Sequence, residues 1–231
     1  APVAQSDRVP GYEPGGQRFE SSLVRNNKRV EEEVFMTLSL VGKEAPDFVA
    51  QAVVNGETCT VSLKDYLGKY VVLFFYPKDF TYVCPTELHA FQDALGEFHT
   101  RGAEVIGCSV DDIATHQQWL ATKKKQGGIE GITYPLLSDE DKVISRSYHV
   151  LKPEEELSFR GVFLIDKGGI IRHLVVNDLP LGRSIEEELR TLDALIFFET
   201  NGLVCPANWH EGERAMAPNE EGLQNYFGTI D

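Results

Sequence analysis

Four thiols carry the most reactive chemistry in this chain: Cys59, Cys84, Cys108 and Cys205. No two of them form a C-x-x-C pair, which argues against a zinc cage. Cys84 stands out by its setting. It follows the apolar run at residues 70–76 and precedes Pro85, which suits the first turn of a helix because its missing N–H has no helical partner to lose there. Glu87 adds the acid expected in a first turn. A cysteine at a helix start meets unpaired backbone N–H groups and the positive end of the dipole, and both favour the nucleophilic thiolate. Position alone leaves a second reading equally open, because free cysteine is among the most buried residue types. Cys108, inside an apolar run, and Cys59, with no pattern of charged helpers, read as structural.

The elements that must position these thiols follow from the hydrophobic pattern. "FVAQAVV" and "ETCTVSL" flank Asn55-Gly56, a strong hairpin signal. Residues 70–77 are continuous, β-branched and aromatic, as in a strand buried on both faces. Leu88, Phe91, Leu95 and Phe98 form one helix stripe, and residues 103–110 form another buried strand. Ile113, Gln117 and Leu120 lie in a helix that includes Trp119 and ends near Gly127-Gly128; Trp119 reads as core. A short strand at "YPLLSD" and a short helix at residues 142–149 follow. "FRGVFLID" and "IIRHLVV" make a second hairpin around Lys167 and Gly169. Residues 184–199 form a long amphipathic helix, N-capped by Ser184 and stopped by Gly202. The alternation implies an α/β fold, a mixed sheet flanked by helices. There is no repeat of solenoid length, but Val83-Cys84-Pro85 recurs as Val204-Cys205-Pro206.

Composition removes several function classes. The 231 residues include 42% hydrophobic and 25% charged residues, an ordinary globular balance that excludes wholesale disorder. With 22 Lys plus Arg against 36 Asp plus Glu, the net charge of −14 disfavours nucleic acid and anionic lipid as partners. No apolar run approaches the length of a membrane span. The six histidines show no metal-ligand spacing, and no phosphate-cradling loop is present. Residues 1–35 are rich in Pro and Gly and hold no sustained period, so they read as a flexible extension before Met36. A targeting segment is the weaker alternative because of the acids it contains. The first residues hold no apolar export core, so a cytoplasmic chain is expected, one whose thiols are not tied into structural disulfides.

The surroundings of Cys84 then separate its two readings. "YPKDFTYVCPTE" places Pro77, Thr81 and Cys84 as P-x-x-x-T-x-x-C and continues to Glu87. This resembles the active-site signature of the peroxiredoxins, thiol peroxidases on a thioredoxin-like fold. "FRGVFLID" matches that family's Arg-Gly strand at Arg160, "LGRS" supplies Arg183, and "VCPANW" places Cys205 and Trp209 as in the typical two-cysteine subgroup. The bacterial alkyl hydroperoxide reductase peroxidase subunit and the eukaryotic two-cysteine enzymes look alike in these features, and the resemblance runs from about Thr37 to the C-terminus. It implies a peroxidase domain over residues 36–200 and a C-terminal extension over residues 201–231. It implies that Cys84 is oxidised by hydrogen peroxide or an organic hydroperoxide to a sulfenic acid, without metal or bound cofactor. Cys205 of the partner subunit then resolves it to a disulfide, which thioredoxin or a flavin-linked disulfide reductase reduces. Pro77 shields the pocket, Thr81 hydrogen-bonds thiolate and peroxide, Arg160 holds both, and Glu87 and Arg183 complete the network. A homodimer, and further a ring of five dimers, is expected. The missing C-x-x-C counts against a thioredoxin-like disulfide exchanger, and a holdase chaperone is a competitor of another class. In overoxidation-sensitive members a Gly-Gly-Leu-Gly loop and a C-terminal Tyr-Phe pair cover the active-site helix. Here Tyr226-Phe227 is present, but the loop reads Gly127-Gly128-Ile129-Glu130-Gly131, with Glu130 expected to put a charge where close packing is needed.

Overall fold

The strand that sequence makes most apolar lies in the interior of the sheet. In the computed structural model, which describes residues 39–152 and 154–228, β3 (Tyr70–Phe75) is buried along its whole length. Successive side chains of a strand point to opposite faces. Tyr70, Val72 and Phe74 therefore enter one apolar cluster, and Val71, Leu73 and Phe75 enter another on the far side of the sheet. The reading of residues 1–35 as an extension lies outside the described residues.

Around β3 the sheet is completed by β1 (Val49–Val54), β2 (Glu57–Ser62), β4 (Ala103–Ser109), β5 (Leu136–Ser138), β8 (Arg160–Ile165) and β9 (Ile171–Asn177), in the order β2-β1-β5-β4-β3-β8-β9. β3, β4 and β5 run parallel, and the two hairpins β1–β2 and β8–β9 add antiparallel edges. The first hairpin turns on Asn55 and Gly56, both at positive φ, the geometry that fits the twist of paired strands. A separate small pair, β6 (Leu151–Lys152) with β7 (Leu157–Ser158), is too short to leave a periodic signature.

The helices are α1 (Cys84–Asp93), α2 (Leu95–Thr100), α3 (Ile113–Ala121), α4 (Val143–Ser147), α5 (Ile185–Asn201) and α6 (Glu220–Phe227). The single helix expected from Leu88 to Phe98 is thus two. Ala94 ends α1 at φ −90° and ψ 0° and also caps α2. The stripe survives the break because Leu88, Phe91, Leu95 and Phe98 all enter the same cluster. The helix after β4 also ends earlier than expected, at Ala121. Thr122 turns extended, and a short 3-10 turn at Lys124–Gln126 leads to Gly127 at φ +79°. α5 matches its sequence signals: the Ser184 hydroxyl accepts from the Glu187 N–H, and Gly202 takes the left-handed conformation past its end.

Candidate active site

Cys84 is the first residue of α1 and is fully buried. The backbone N–H groups expected to face its sulfur are turned elsewhere: those of Thr86 and Glu87 both donate to the Val83 carbonyl. The donor that reaches the sulfur is a side chain. Arg160, the first residue of β8 and 3% exposed, points Nη1 at Cys84 Sγ from 3.3 Å. Its Nε donates to the Leu179 carbonyl at 2.6 Å, which fixes the plane of the guanidinium.

Glu87 ties the cluster together. One helical turn beyond Cys84, its Oε2 accepts from Arg160 Nη1 at 2.6 Å. Its Oε1 accepts from Arg183 Nε at 2.7 Å and from the Arg183 backbone N–H at 3.0 Å. Arg183 is not the solvated arginine its place before a helix allows. Its side chain is 1% exposed, and Nη1 donates to the carbonyls of Phe75 and Gly161 at 2.7 and 2.8 Å. Its guanidinium also lies over the Phe74 ring, 5.3 Å from the centroid. Gly161 follows Arg160 because a Cβ there would come within 2.8 Å of Val150 and 3.1 Å of Phe163. Two guanidiniums against one carboxylate leave the cluster one positive charge in excess beside the Cys84 sulfur.

Pro77 is buried in the loop between β3 and α1. Thr81, in the same loop, donates its hydroxyl to the Lys78 carbonyl at 2.9 Å rather than to the sulfur. The hydroxyl oxygen keeps its acceptor capacity. Cys205 lies past α5 and is half-buried, its thiol pointing at the Ala194 carbonyl at 3.6 Å. Burial pushes the Cys205 thiol above its ordinary value, against the pull of Arg190. Burial pushes Cys108 well up, as its structural reading requires, and Cys59 is exposed. All four cysteines are free.

The loop at residues 127–131 lies against α1. His89 of α1 contacts the Gly128 carbonyl through Nε2 at 3.1 Å, and the Trp119 indole donates to the Gly127 carbonyl at 2.8 Å. Tyr134, just beyond, donates to the Leu88 carbonyl at 2.9 Å. Glu130 does not intrude on this packing. It is exposed, and its carboxylate accepts from the Lys124 N–H at 3.1 Å, while Ile129 fills the interior. None of His89, Tyr134 or the pair Asp79 and His116 described below was singled out from sequence. Their signal is an i, i+3 placement of a polar residue beside a core aromatic, as with His116 and Trp119, and it does not name a partner. Among the described residues no cluster of metal-ligating side chains exists, and no helix is long and apolar enough to cross a membrane.

The AhpC/TSA family matches residues 41–174, and the C-terminal domain of 1-Cys peroxiredoxin matches residues 194–229. The 2-Cys peroxiredoxin BAS1, chloroplastic, of Hordeum vulgare is 49% identical over 194 residues, 84% of this chain and 92% of that protein. Thioredoxin peroxidase of Echinococcus granulosus is 47% identical over 83% of this chain and 99% of its own length. Among solved structures, reduced 2-Cys peroxiredoxin of Plasmodium vivax superposes with a TM-score of 0.80 at 48% identity, covering 83% of this chain and all of that one. The chain belongs to the AhpC/TSA family and is a peroxiredoxin, a thiol-dependent peroxidase on a thioredoxin-like fold.

Proposed function

We propose that Cys84 is the peroxide-attacking thiolate and that Arg160, Glu87, Arg183, Thr81 and Pro77 form its site. The observation that carries this is the contact of Arg160 Nη1 with Cys84 Sγ at 3.3 Å, held by the Glu87 bridge. The thiolate sulfur attacks one oxygen of hydrogen peroxide or an organic hydroperoxide, and the O–O bond breaks. Its electron pair passes to the other oxygen, which takes a proton and leaves as water or an alcohol. Arg160 and Thr81 offer donors where that charge develops. Cys84 is left as a sulfenic acid. The Cys205 thiol of a partner subunit then displaces water from it to give a disulfide, and an external dithiol reduces the disulfide by exchange.

The resolving role of Cys205 is supported by its duplicated Val-Cys-Pro setting and by its place in a C-terminal extension, residues 201–231, beyond the peroxidase domain. The name of the Echinococcus granulosus relative favours thioredoxin as the reductant, with a flavin-linked disulfide reductase as the alternative. A homodimer assembled into a decameric ring in the cytoplasm completes the proposal, resting on the resemblance and on four unpaired thiols. The test is peroxide consumption by the purified chain, coupled first to thioredoxin and then to a flavin-linked reductase. Cys84→Ser should abolish it. Cys205→Ser should consume about one equivalent and form no inter-chain dimer on non-reducing electrophoresis. Sustained turnover by Cys84→Ser would remove Cys84 from its role.

A further inference from the structure

Asp79 and His116 lie outside the cluster around Cys84, and the chemistry above does not use them. Asp79 is 3% exposed in the β3–α1 loop, which also carries Pro77 and Thr81 and delivers the chain to Cys84. His116 is fully buried in α3. Its Nδ1 is 2.7 Å from Asp79 Oδ2, and its Nε2 is 3.2 Å from the Leu137 carbonyl of β5. A carbonyl only accepts, so Nε2 carries a hydrogen. The contact between Nδ1 and Oδ2 also needs a proton, whether the ring or the acid holds it. Without it, two lone pairs would face each other at 2.7 Å.

The remaining groups of Asp79 are engaged as well. Its Oδ1 accepts from the Tyr76 hydroxyl at 2.9 Å, and its N–H donates to Asp111 Oδ2 at 2.8 Å. Asp111 in turn accepts from the Ser109 hydroxyl at 2.8 Å. The groups facing the pair are thus Tyr76 just past β3, Ser109 and Asp111 at and after the end of β4, Asp112 capping α3, and the Leu137 carbonyl of β5. Burial pushes the Asp79 carboxyl up. Burial alone would lower the His116 imidazole, but its bond to Asp79 leaves it raised. Both directions keep a proton in the pair.

A buried ion pair is weak evidence for stability, because apolar replacements of equal volume are often no worse. Here the pair joins the reactive loop to β4, through Asp111 and Ser109, to β5 and to α3. We propose that Asp79 and His116 are positioning residues for peroxide attack. The pair fixes residues 77–83 from beneath, so that Thr81 and the Cys84 sulfur meet the peroxide in line. The inference rests on the reading of Cys84 as the nucleophile.

The test compares two rates for Cys84 at one temperature well below unfolding: the second-order constant with hydrogen peroxide, and alkylation by iodoacetamide. Alkylation needs a reachable thiolate but not an in-line pocket. Asp79→Asn and His116→Gln should each slow peroxide attack by about 10- to 100-fold, the scale of a misplacement near 1 Å. Alkylation should be equal or faster, since loosening the loop uncovers the sulfur. The double variant should cost no more than the worse single one, because the two residues act as a unit. Should Asp79→Asn not fold, Asp79→Glu, which displaces the acid by one methylene, replaces it with the same expected split between the rates. Peroxide rates within twofold of the parent, equal losses in both rates, or multiplying losses in the double variant would each overturn the proposal. Cys84→Ser separates the two levels: turnover in that variant removes the nucleophile reading, whereas an inactive Cys84→Ser beside fully active pair variants removes only this inference.

Discussion

Replacing Glu87 by Gln tests whether the bridge between the two arginines holds the site together. The change keeps the shape and removes one buried charge. Three hydrogen bonds converge on this carboxylate, at 2.6, 2.7 and 3.0 Å, from groups that are almost wholly buried. Gln offers one acceptor oxygen in place of two, so its amide nitrogen must face one of the guanidiniums as donor against donor. Removing one partner of a buried pair costs about 3–5 kcal/mol, because the cations left behind stay desolvated. In a domain of this size that is a fall in melting temperature of roughly 6–20 °C at 2–4 °C per kcal/mol. Chemistry suffers separately. Losing one charge-assisted bond, worth about 1.5–3 kcal/mol, frees Arg160 from its aim at Cys84 and should slow sulfenic acid formation by about 10- to 100-fold. Urea denaturation gives the first quantity, and stopped-flow oxidation by hydrogen peroxide gives the second. A variant within 1 kcal/mol of the parent and within twofold in rate would refute the reasoning, since no bridge of this kind could then be acting.

Other outcomes follow from single features. Burial raises Glu188 to about 7, and its neighbour His173, 4.0 Å away, is held below its ordinary value, again by burial, so at neutral pH a carboxyl near its midpoint faces a neutral ring. A raised folded-state value stabilises the protein fully below the ordinary Glu range near 4.3 and loses that contribution as pH rises through about 7. Glu188→Gln should therefore flatten the pH dependence of unfolding between those values and gain roughly 3 kcal/mol at pH 8 relative to the parent; an unchanged slope would contradict it. Gly128→Ala should destabilise by about 3 kcal/mol or more in urea, because its Cβ would lie 1.9 Å from the Thr122 carbonyl oxygen. Deleting residues from Asn225 onward should lower the sulfinic acid yield at Cys84 under high peroxide, read by mass spectrometry; a higher yield would show that the tail is no brake on disulfide formation.

The parts of the site that were legible in the sequence are those written locally. Pro77, Thr81, Cys84 and Glu87 fall within one loop and one helical turn, and Arg160 is marked by the glycine after it. What resisted reading depends on partners far along the chain. His116 looks like any polar residue on a helix until β5 and the β3–α1 loop close around it. The break at Ala94 leaves the apolar stripe intact, so periodicity cannot report it. For Glu130 the sequence supplies a charge but not the direction of the side chain, which the 3-10 turn at Lys124–Gln126 sets. The backbone amides expected at Cys84 are satisfied by Val83, a detail of cap geometry beneath the level of composition.

The wide sequence separations around Glu87 bear on how this protein is made. Its partners lie 73 and 96 residues downstream, and Arg183 reaches back 108 residues to the Phe75 carbonyl. A ribosome must therefore have released residue 183 before the cluster around Cys84 can close. Until then the thiol has neither its guanidinium nor its carboxylate bridge, and β3 lacks its β8 neighbour. Contacts of such long range form only after the closure entropy of the intervening chain has been overcome, which places them late in assembly. On the proposed reading of Cys84, fast attack on peroxide should then be confined to fully folded molecules, while nascent and half-folded chains keep only the slow reactivity of an ordinary thiol.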